Sequence, residues 1–204
     1  MVTSVEPTRA DIARVAEDLA IALDDRFELL HDPDSLAPNL IVVGAAAESD
    51  RVIPAAHCPV LVLPRLGHVR PLDWRAQTVV CGFDGSPGAW AAAMYAALLA
   101  GALHGSLTLT CIGATVPSRM STAASTLRAK LLDCGAFDAG PPVPLVHWHT
   151  REGDPAAELE RAAVALVAPL IVVGRRGDGV RHDAPMGSLT RRLLRSSRLP
   201  VVVT

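Results

Sequence analysis

Lysine is nearly missing from this chain of 204 residues; Lys130 is the single one. No G-x4-G-K-[ST] is present, so no lysine reaches phosphates from a glycine-rich loop, and a Walker-type kinase or ATPase site is excluded. Aromatic residues make up 3%, too few for a stacking platform on single-stranded nucleic acid. No C-x-x-C occurs among Cys58, Cys81, Cys111 and Cys134, which argues against a zinc ribbon or a redox motif and for reduced thiols. No G-x-S-x-G occurs, so a hydrolase elbow is unsupported. His147-x-His149 has no third ligand spaced nearby, so no metal site is expected. The longest apolar run, 90–103, is too short and too rich in alanine to span a bilayer. Residues 1–6 lack the charged start and apolar stretch of a signal peptide. A net charge of −2 implies no whole-protein field for nucleic acid or membrane. A cytoplasmic protein without nucleic-acid or membrane partners is the expectation.

Half of the residues are apolar, enough for one good core and part of a second. Charge is unevenly spread. Residues 1–66 hold eleven acids against five arginines, whereas 170–204 hold seven arginines against Asp178 and Asp183. The basic end suits a polyanionic ligand, or equally a solvated helix surface.

An internal repeat is present. Leu40-Ile41-Val42-Val43-Gly44 recurs as Leu170-Ile171-Val172-Val173-Gly174. A second apolar run that begins with proline follows each copy, at 59–63 and at 200–203. The copies are unequal: a short link, 45–58, joins the first pair of runs, and a long one, 175–199, joins the second. A complete unit is expected at 78–204, a trimmed and degenerate relative of it at 1–66, and a linker at 67–77.

Within 78–204 the pattern alternates. The continuous apolar run at 78–83 predicts a strand buried on both faces, and further strands are expected at 107–113, 143–150, 170–174 and 200–204. Between them lie helical patterns. One follows the Ser86-Pro87 cap and one the Asp154-Pro155 cap; others are expected at 118–134 and from about 188. This order predicts an α/β fold with a doubly wound, five-stranded parallel sheet. In the first unit a helix is expected at 8–23 and short strands at 27–30, 40–44 and 59–63. Ligands of such sheets sit at the carboxyl ends of strands, where strand order reverses. Asp84 and Gly174 both follow strand ends, so one crevice is expected between them.

The segment 174–188 contains G-x2-G-x9-G-S, with Gly174, Gly177, Gly187 and Ser188 after a buried strand and before a helix. Glycines let backbone N–H groups approach phosphate oxygens, and a helix start favours an anion. An ordinary loop capped by Ser188 would carry the same letters. With Asp84-Gly85-Ser86 opening the unit, the segment resembles the ATP-binding signature of the universal stress protein family. The match covers 78–204, and residues 1–66 resemble a trimmed copy as in tandem members. The resemblance implies a Rossmann-like, adenine nucleotide alpha hydrolase-like fold. It also implies a regulatory protein of the stress response that binds ATP, with or without Mg²⁺. The implied contacts are Asp84, Gly85, Ile112, Gly174, Arg175, Arg176, Gly177, Gly187, Ser188 and Leu189. In the family an aspartate at the place of Asp84 lies at the adenine end, although a turn aspartate would look the same. Ile112 stands where a backbone contact to adenine is common, or simply packs.

Two features depart from the family pattern: Pro185-Met186 before Gly187, and the charges of Asp178, Arg181 and Asp183. No matching loop follows Gly44, so one nucleotide per chain is expected. No residue is assigned a catalytic role, and weak ATP hydrolysis is the most the sequence would support. An interaction module with an empty crevice is the other alternative. Strands 59–63 and 200–204 are expected to pair within the chain as a pseudo-dimer, or else between chains of a homodimer.

Overall fold

The computed structural model describes residues 9–23, 40–44, 47–64, 74–113, 117–133, 144–177 and 186–204. The first part holds α1 (Arg9–Leu23), β1 (Ile41–Val43), α2 (Ala47–Ala55) and β2 (Val60–Val62). The rest alternates without a break: β3 (Thr78–Gly82), α3 (Pro87–Ala102), β4 (Ser106–Ile112), α4 (Pro117–Asp133), β5 (Val146–Arg151), α5 (Pro155–Ala165), β6 (Ile171–Val173), α6 (Ser188–Ser196) and β7 (Val201–Val203).

The seven strands among the described residues join one sheet in the order β1-β2-β7-β6-β3-β4-β5. The five strands from β7 to β5 are parallel, as the alternating pattern requires. Strand residues alternate between two cores. Val79 and Cys81 enter one while Val80 enters the other, and Val172 is opposed in the same way to Ile171 and Val173. Helices α1, α3 and α4 cover the first face, and α2, α5 and α6 cover the second. That explains why these strands read as continuous apolar runs.

The helix starts follow local chemistry. Ser86 Oγ accepts from the N–H of Ala89 at 3.1 Å, and Asp154 Oδ1 accepts from the N–H of Ala157 at 3.0 Å. Proline occupies the first helical position after each cap. Helix α3 presents Ala92, Ala93, Ala96 and Ala97 to the sheet, all fully buried.

The two repeated strand pairs have matching hydrogen bonds. Ile41 N–H donates to Pro59 O at 3.0 Å, and Ile171 N–H donates to Pro200 O at 3.0 Å. Strand β2 then meets β7 antiparallel, with Val60 opposite Val203 and Val62 opposite Val201. This pairing lies within one chain, and it removes β7 as an exposed sheet edge.

Two local expectations change. The link 45–58 contains α2, whose Ile53 is fully buried beneath the sheet. Nine residues with Val52 and Ile53 as the only large apolar pair are too few to display a helical period. The end of the expected linker is packed: Trp74 is buried in the first core, and Ala76 N–H donates to Leu103 O at 2.8 Å. The strand expected at 27–30 lies outside the described residues.

Candidate functional site

Chain order runs from β3 to β4 to β5 on one side, then crosses to β6 on the other side of β3. The carboxyl ends of β3 and β6 therefore diverge into a switch-point crevice. It holds a cavity of about 210 Å³. Its walls come from the turn after β3, the loop after β6, the start of α6, the end of β4 and the start of α5.

Asp84 lines the cavity and is exposed at its mouth. Its Oδ1 accepts from Ser86 N–H at 2.9 Å, so this carboxylate organises its own turn while facing the crevice. Gly85 sits at φ +83°, a left-handed conformation that favours glycine, and does not line the cavity. Across the gap, a Cβ built on Gly177 would stand 2.5 Å from Asp84 Oδ2. The aspartate turn and the glycine loop thus meet at that point. A Cβ on Gly174 would stand 2.7 Å from the Gly88 backbone, so the loop lies directly on the first turn of α3.

Gly174, Arg176, Gly177, Gly187, Ser188 and Leu189 all line the cavity. Arg175 does not. Its guanidinium turns away and donates to Ala56 O at 2.9 Å and Pro54 O at 3.5 Å, at the carboxyl end of α2. The chain bends at Arg175 and Arg176, and of the two neighbouring arginines only Arg176 lines the cavity. The Arg175 backbone joins three pieces: its N–H donates to Thr204 O, and its carbonyl accepts from Gly187 N–H, both at 2.9 Å. Arg191 donates to Met186 O at 3.3 Å. Residues 178–185, with Asp178, Arg181, Asp183 and Pro185, lie outside the described residues.

Helix α6 differs from α3 and α5 at its start. Its N-cap is Gly187, which has no side chain, and no side-chain cap bond is made there. The first-turn N–H groups of Ser188 and Leu189, together with the positive end of the helix dipole, belong to cavity-lining residues. Thr190 Oγ1 donates to Gly174 O at 2.8 Å and holds this helix start to the end of β6.

The opposite end of the crevice is more apolar, with Ile112, Pro155 and Leu159. Thr110 lies there too, fully buried. Thr110 pairs with His149 across β4 and β5, Oγ1 to Nε2, at 3.2 Å. Arg151 Nε donates to the same Nε2 at 3.4 Å, and Arg151 Nη1 reaches Glu158 Oε2 at 3.4 Å. Burial and the neighbouring Arg151 charge hold the His149 imidazole below the usual histidine range. The sequence reading passed over Thr110, Leu159 and Thr190. The available signal for Thr110 was its position two residues before Ile112, which puts both on one strand face.

The fold and the site together define an α/β protein with a crevice at the switch point of a mostly parallel sheet. The chain belongs to the universal stress protein family, whose model matches residues 76–204. Two solved structures agree on the fold. A universal stress protein from Archaeoglobus fulgidus is 19% identical with TM-score 0.56, over 81% of this chain and 60% of its own. A protein described as a putative universal stress protein, from Pseudomonas aeruginosa, is 16% identical with TM-score 0.56, over 96% of this chain and 79% of its own. A universal stress protein crystallised in complex with cAMP is 25% identical with TM-score 0.45, over 64% of this chain and 97% of its own. No curated protein matches the chain. Among the described residues, no helix is long and apolar enough to cross a membrane.

Proposed function

We propose that the crevice binds an adenine nucleotide, ATP, and that the protein is a regulatory member of its family rather than an enzyme. The observation that carries this reading is the uncapped start of α6. The helices α3 and α5 satisfy their first turns with Ser86 and Asp154, while α6 offers its first turn to the cavity. A phosphate is the natural complement of such a helix start. Ser188, Leu189, Gly187, Gly174 and Gly177 would surround the phosphates, with Arg176 at the rim. Ile112 would meet the base at the other end, and Asp84, which stands against Gly177, would face the ribose between them. Arg175 is left out of this set because its guanidinium is committed to α2. Gly85 serves the turn.

The cavity volume of about 210 Å³ is below the roughly 300–1,000 Å³ usual for whole-ligand pockets. The enclosed part suits a base and part of a ribose, with the phosphates towards the more open α6 side. ATP supplies the polyanion; the chain supplies dipoles and shape. Asp178 and Asp183 lie outside the described residues.

Residues 1–66 are read as a trimmed, degenerate copy of the complete unit 78–204, joined through 67–77. The matching bonds of the two strand pairs and the antiparallel β2–β7 contact support a pseudo-dimer inside one chain. Among the described residues this crevice belongs to the complete unit, and one nucleotide per chain is the stoichiometry proposed.

The test is thermal unfolding with millimolar MgATP. Ligand at a hundredfold excess over Kd adds about 2.7 kcal/mol, or a rise of roughly 5–10 °C for a chain of this size. In Ser188→Glu, a carboxylate occupies the α6 start. That variant should be slightly more stable alone, by about 0.3–1 kcal/mol, and should lose the ATP response. No shift in the unmodified protein would refute the nucleotide reading. A calorimetric stoichiometry of two would refute the single site.

A further inference from the structure

The carboxyl end of α2 is closed by a residue from the other unit. Helix α2 has no basic residue in its last turn, although a cation is the natural complement of a helix carboxyl end. Arg175, in the loop after β6, supplies one. Its Nη2 donates to Ala56 O at 2.9 Å, and its Nη1 makes a longer contact with Pro54 O at 3.5 Å. A planar guanidinium can hold two acceptors at once. The grip is incomplete, because Arg175 Nε is buried and makes no hydrogen bond. A buried N–H without a partner costs free energy comparable to what one bond contributes. The clasp on α2 is therefore held by a small margin.

The same residue is built into the wall of the crevice. Its neighbours Gly174 and Arg176 line the cavity, and so does Gly187. Gly187 N–H donates to the Arg175 carbonyl at 2.9 Å, and Arg175 N–H donates to Thr204 O at 2.9 Å. The start of α6 and the residue after β7 thus hold the backbone on both sides of Arg175. A ligand bound by Gly174, Gly177 and the α6 start would order this backbone further. From an ordered backbone, the long Arg175 side chain loses less freedom when it reaches across to α2. The reverse holds as well: a side chain fixed on α2 orders the loop in advance of the ligand.

We propose that Arg175 couples the crevice to α2, so that nucleotide binding tightens the docking of the first unit and a docked first unit raises nucleotide affinity. This rests on the nucleotide reading above, and it gives the trimmed unit a part in a site whose glycine loop it lacks. Arg175 does not line the cavity; it is a positioning residue that acts through the loop. The responsive element is α2. It has nine residues, with Pro54 inside it, and a helix of that length is marginal by itself. Its large fully buried side chain is Ile53. The two states are α2 docked, with Arg175 across its carboxyl end, and α2 undocked, with that guanidinium in solvent. One coupling factor governs both directions. The factor by which nucleotide slows the opening of α2 equals the factor by which loss of the clasp weakens nucleotide binding.

The experiment combines amide exchange of the full chain, with and without saturating MgATP, with calorimetric ATP affinity. The proteins are the unmodified chain, Arg175→Ala and Ile53→Ala. Exchange is followed under native conditions, where a small element opens locally. In the unmodified chain ATP should slow exchange in α2 by about fivefold or more, the lower end of usual couplings, as well as around the crevice. In Arg175→Ala, ATP should still bind and still slow exchange around the crevice, because no cavity-lining side chain is removed. Exchange in α2 should no longer respond, and ATP affinity should fall by the same factor. Ile53→Ala leaves Arg175 and the crevice in place and removes the anchor of α2. Its ATP affinity should fall by a similar factor whether α2 undocks or unfolds, since either state lacks the clasp. A purely structural Arg175 would give faster α2 exchange in Arg175→Ala with ATP affinity unchanged, and that result would overturn the inference. Slowing of α2 by ATP that persists in Arg175→Ala would overturn it too. Exchange in α2 that ignores ATP in the unmodified chain would overturn it and leave nucleotide binding standing. Absence of ATP binding to the unmodified chain would overturn both.

Discussion

The contact between Gly177 and Asp84 can be tested by a change of sign. A methyl group added at Gly177 would stand 2.5 Å from Asp84 Oδ2, and the other neighbour within 4 Å is the carboxyl carbon of the same residue, at 3.7 Å. Asp84 cannot yield without loss, because its Oδ1 accepts from Ser86 N–H at 2.9 Å. Overpacking of this kind costs about 1–3 kcal/mol, and a lost turn bond about 0.5–1.5 kcal/mol. Against this, alanine restricts the unfolded chain and stabilises by about 0.4–1 kcal/mol where the backbone permits it. Gly177 has no positive φ that would forbid alanine. Gly177→Ala alone should therefore destabilise by about 1–2 kcal/mol. With Asp84→Ala already present, the obstruction is gone, and Gly177→Ala should become neutral or stabilising by up to about 1 kcal/mol. Urea unfolding of the four proteins in the double-mutant cycle measures the difference. Additivity within about 0.3–0.5 kcal/mol would show that the two segments do not interact. That result would remove the closure of the crevice on which the site geometry depends.

Arg175→Ala should loosen the first part of the chain without touching the crevice. Removing charged donors from Ala56 O and Pro54 O should cost about 1–3 kcal/mol. Amide exchange should accelerate in α2 and β2, and any ATP-induced stabilisation should persist; loss of ATP binding with α2 unaffected would contradict the placement. Stability should also fall in acid through His149. Its folded pKa is lowered, so the neutral ring stabilises the fold above the unfolded value of about 6.5, and that contribution is lost as pH falls through the folded value. Unfolding measured across this window should show a shallower acid slope in His149→Gln; an unchanged slope would refute the contribution.

Much of this architecture was legible before any coordinates. The parallel strands are buried on both faces, so Val79-Val80-Cys81 and Ile171-Val172-Val173 read as continuous apolar runs. Ser86-Pro87 and Asp154-Pro155 mark helix starts because capping is local chemistry. The spacing of Gly174, Gly177, Gly187 and Ser188 places a loop between a strand and a helix. By contrast, α2 reads as a bare link in the sequence, since Val52 and Ile53 are its only large apolar residues and Ile53 becomes a core residue only when a sheet covers it. Arg175 and Arg176 look identical in the sequence, yet one leaves the crevice and the other lines it. Thr110 reads as an ordinary strand threonine until β5 brings His149 beside it.

The division follows the range of the forces. Periodicity, caps and glycine spacing act over a few residues, so the sequence by itself determined the order of strands and helices and the existence of a glycine loop at a strand end. It also determined that the two strand pairs repeat. Which groups face one another depends on strand order and register, which arise from contacts between distant segments. Only the tertiary structure decided that β2 runs antiparallel to β7, that Arg175 serves α2, that Gly177 closes on Asp84, and that His149 and Arg151 stand together beside Thr110.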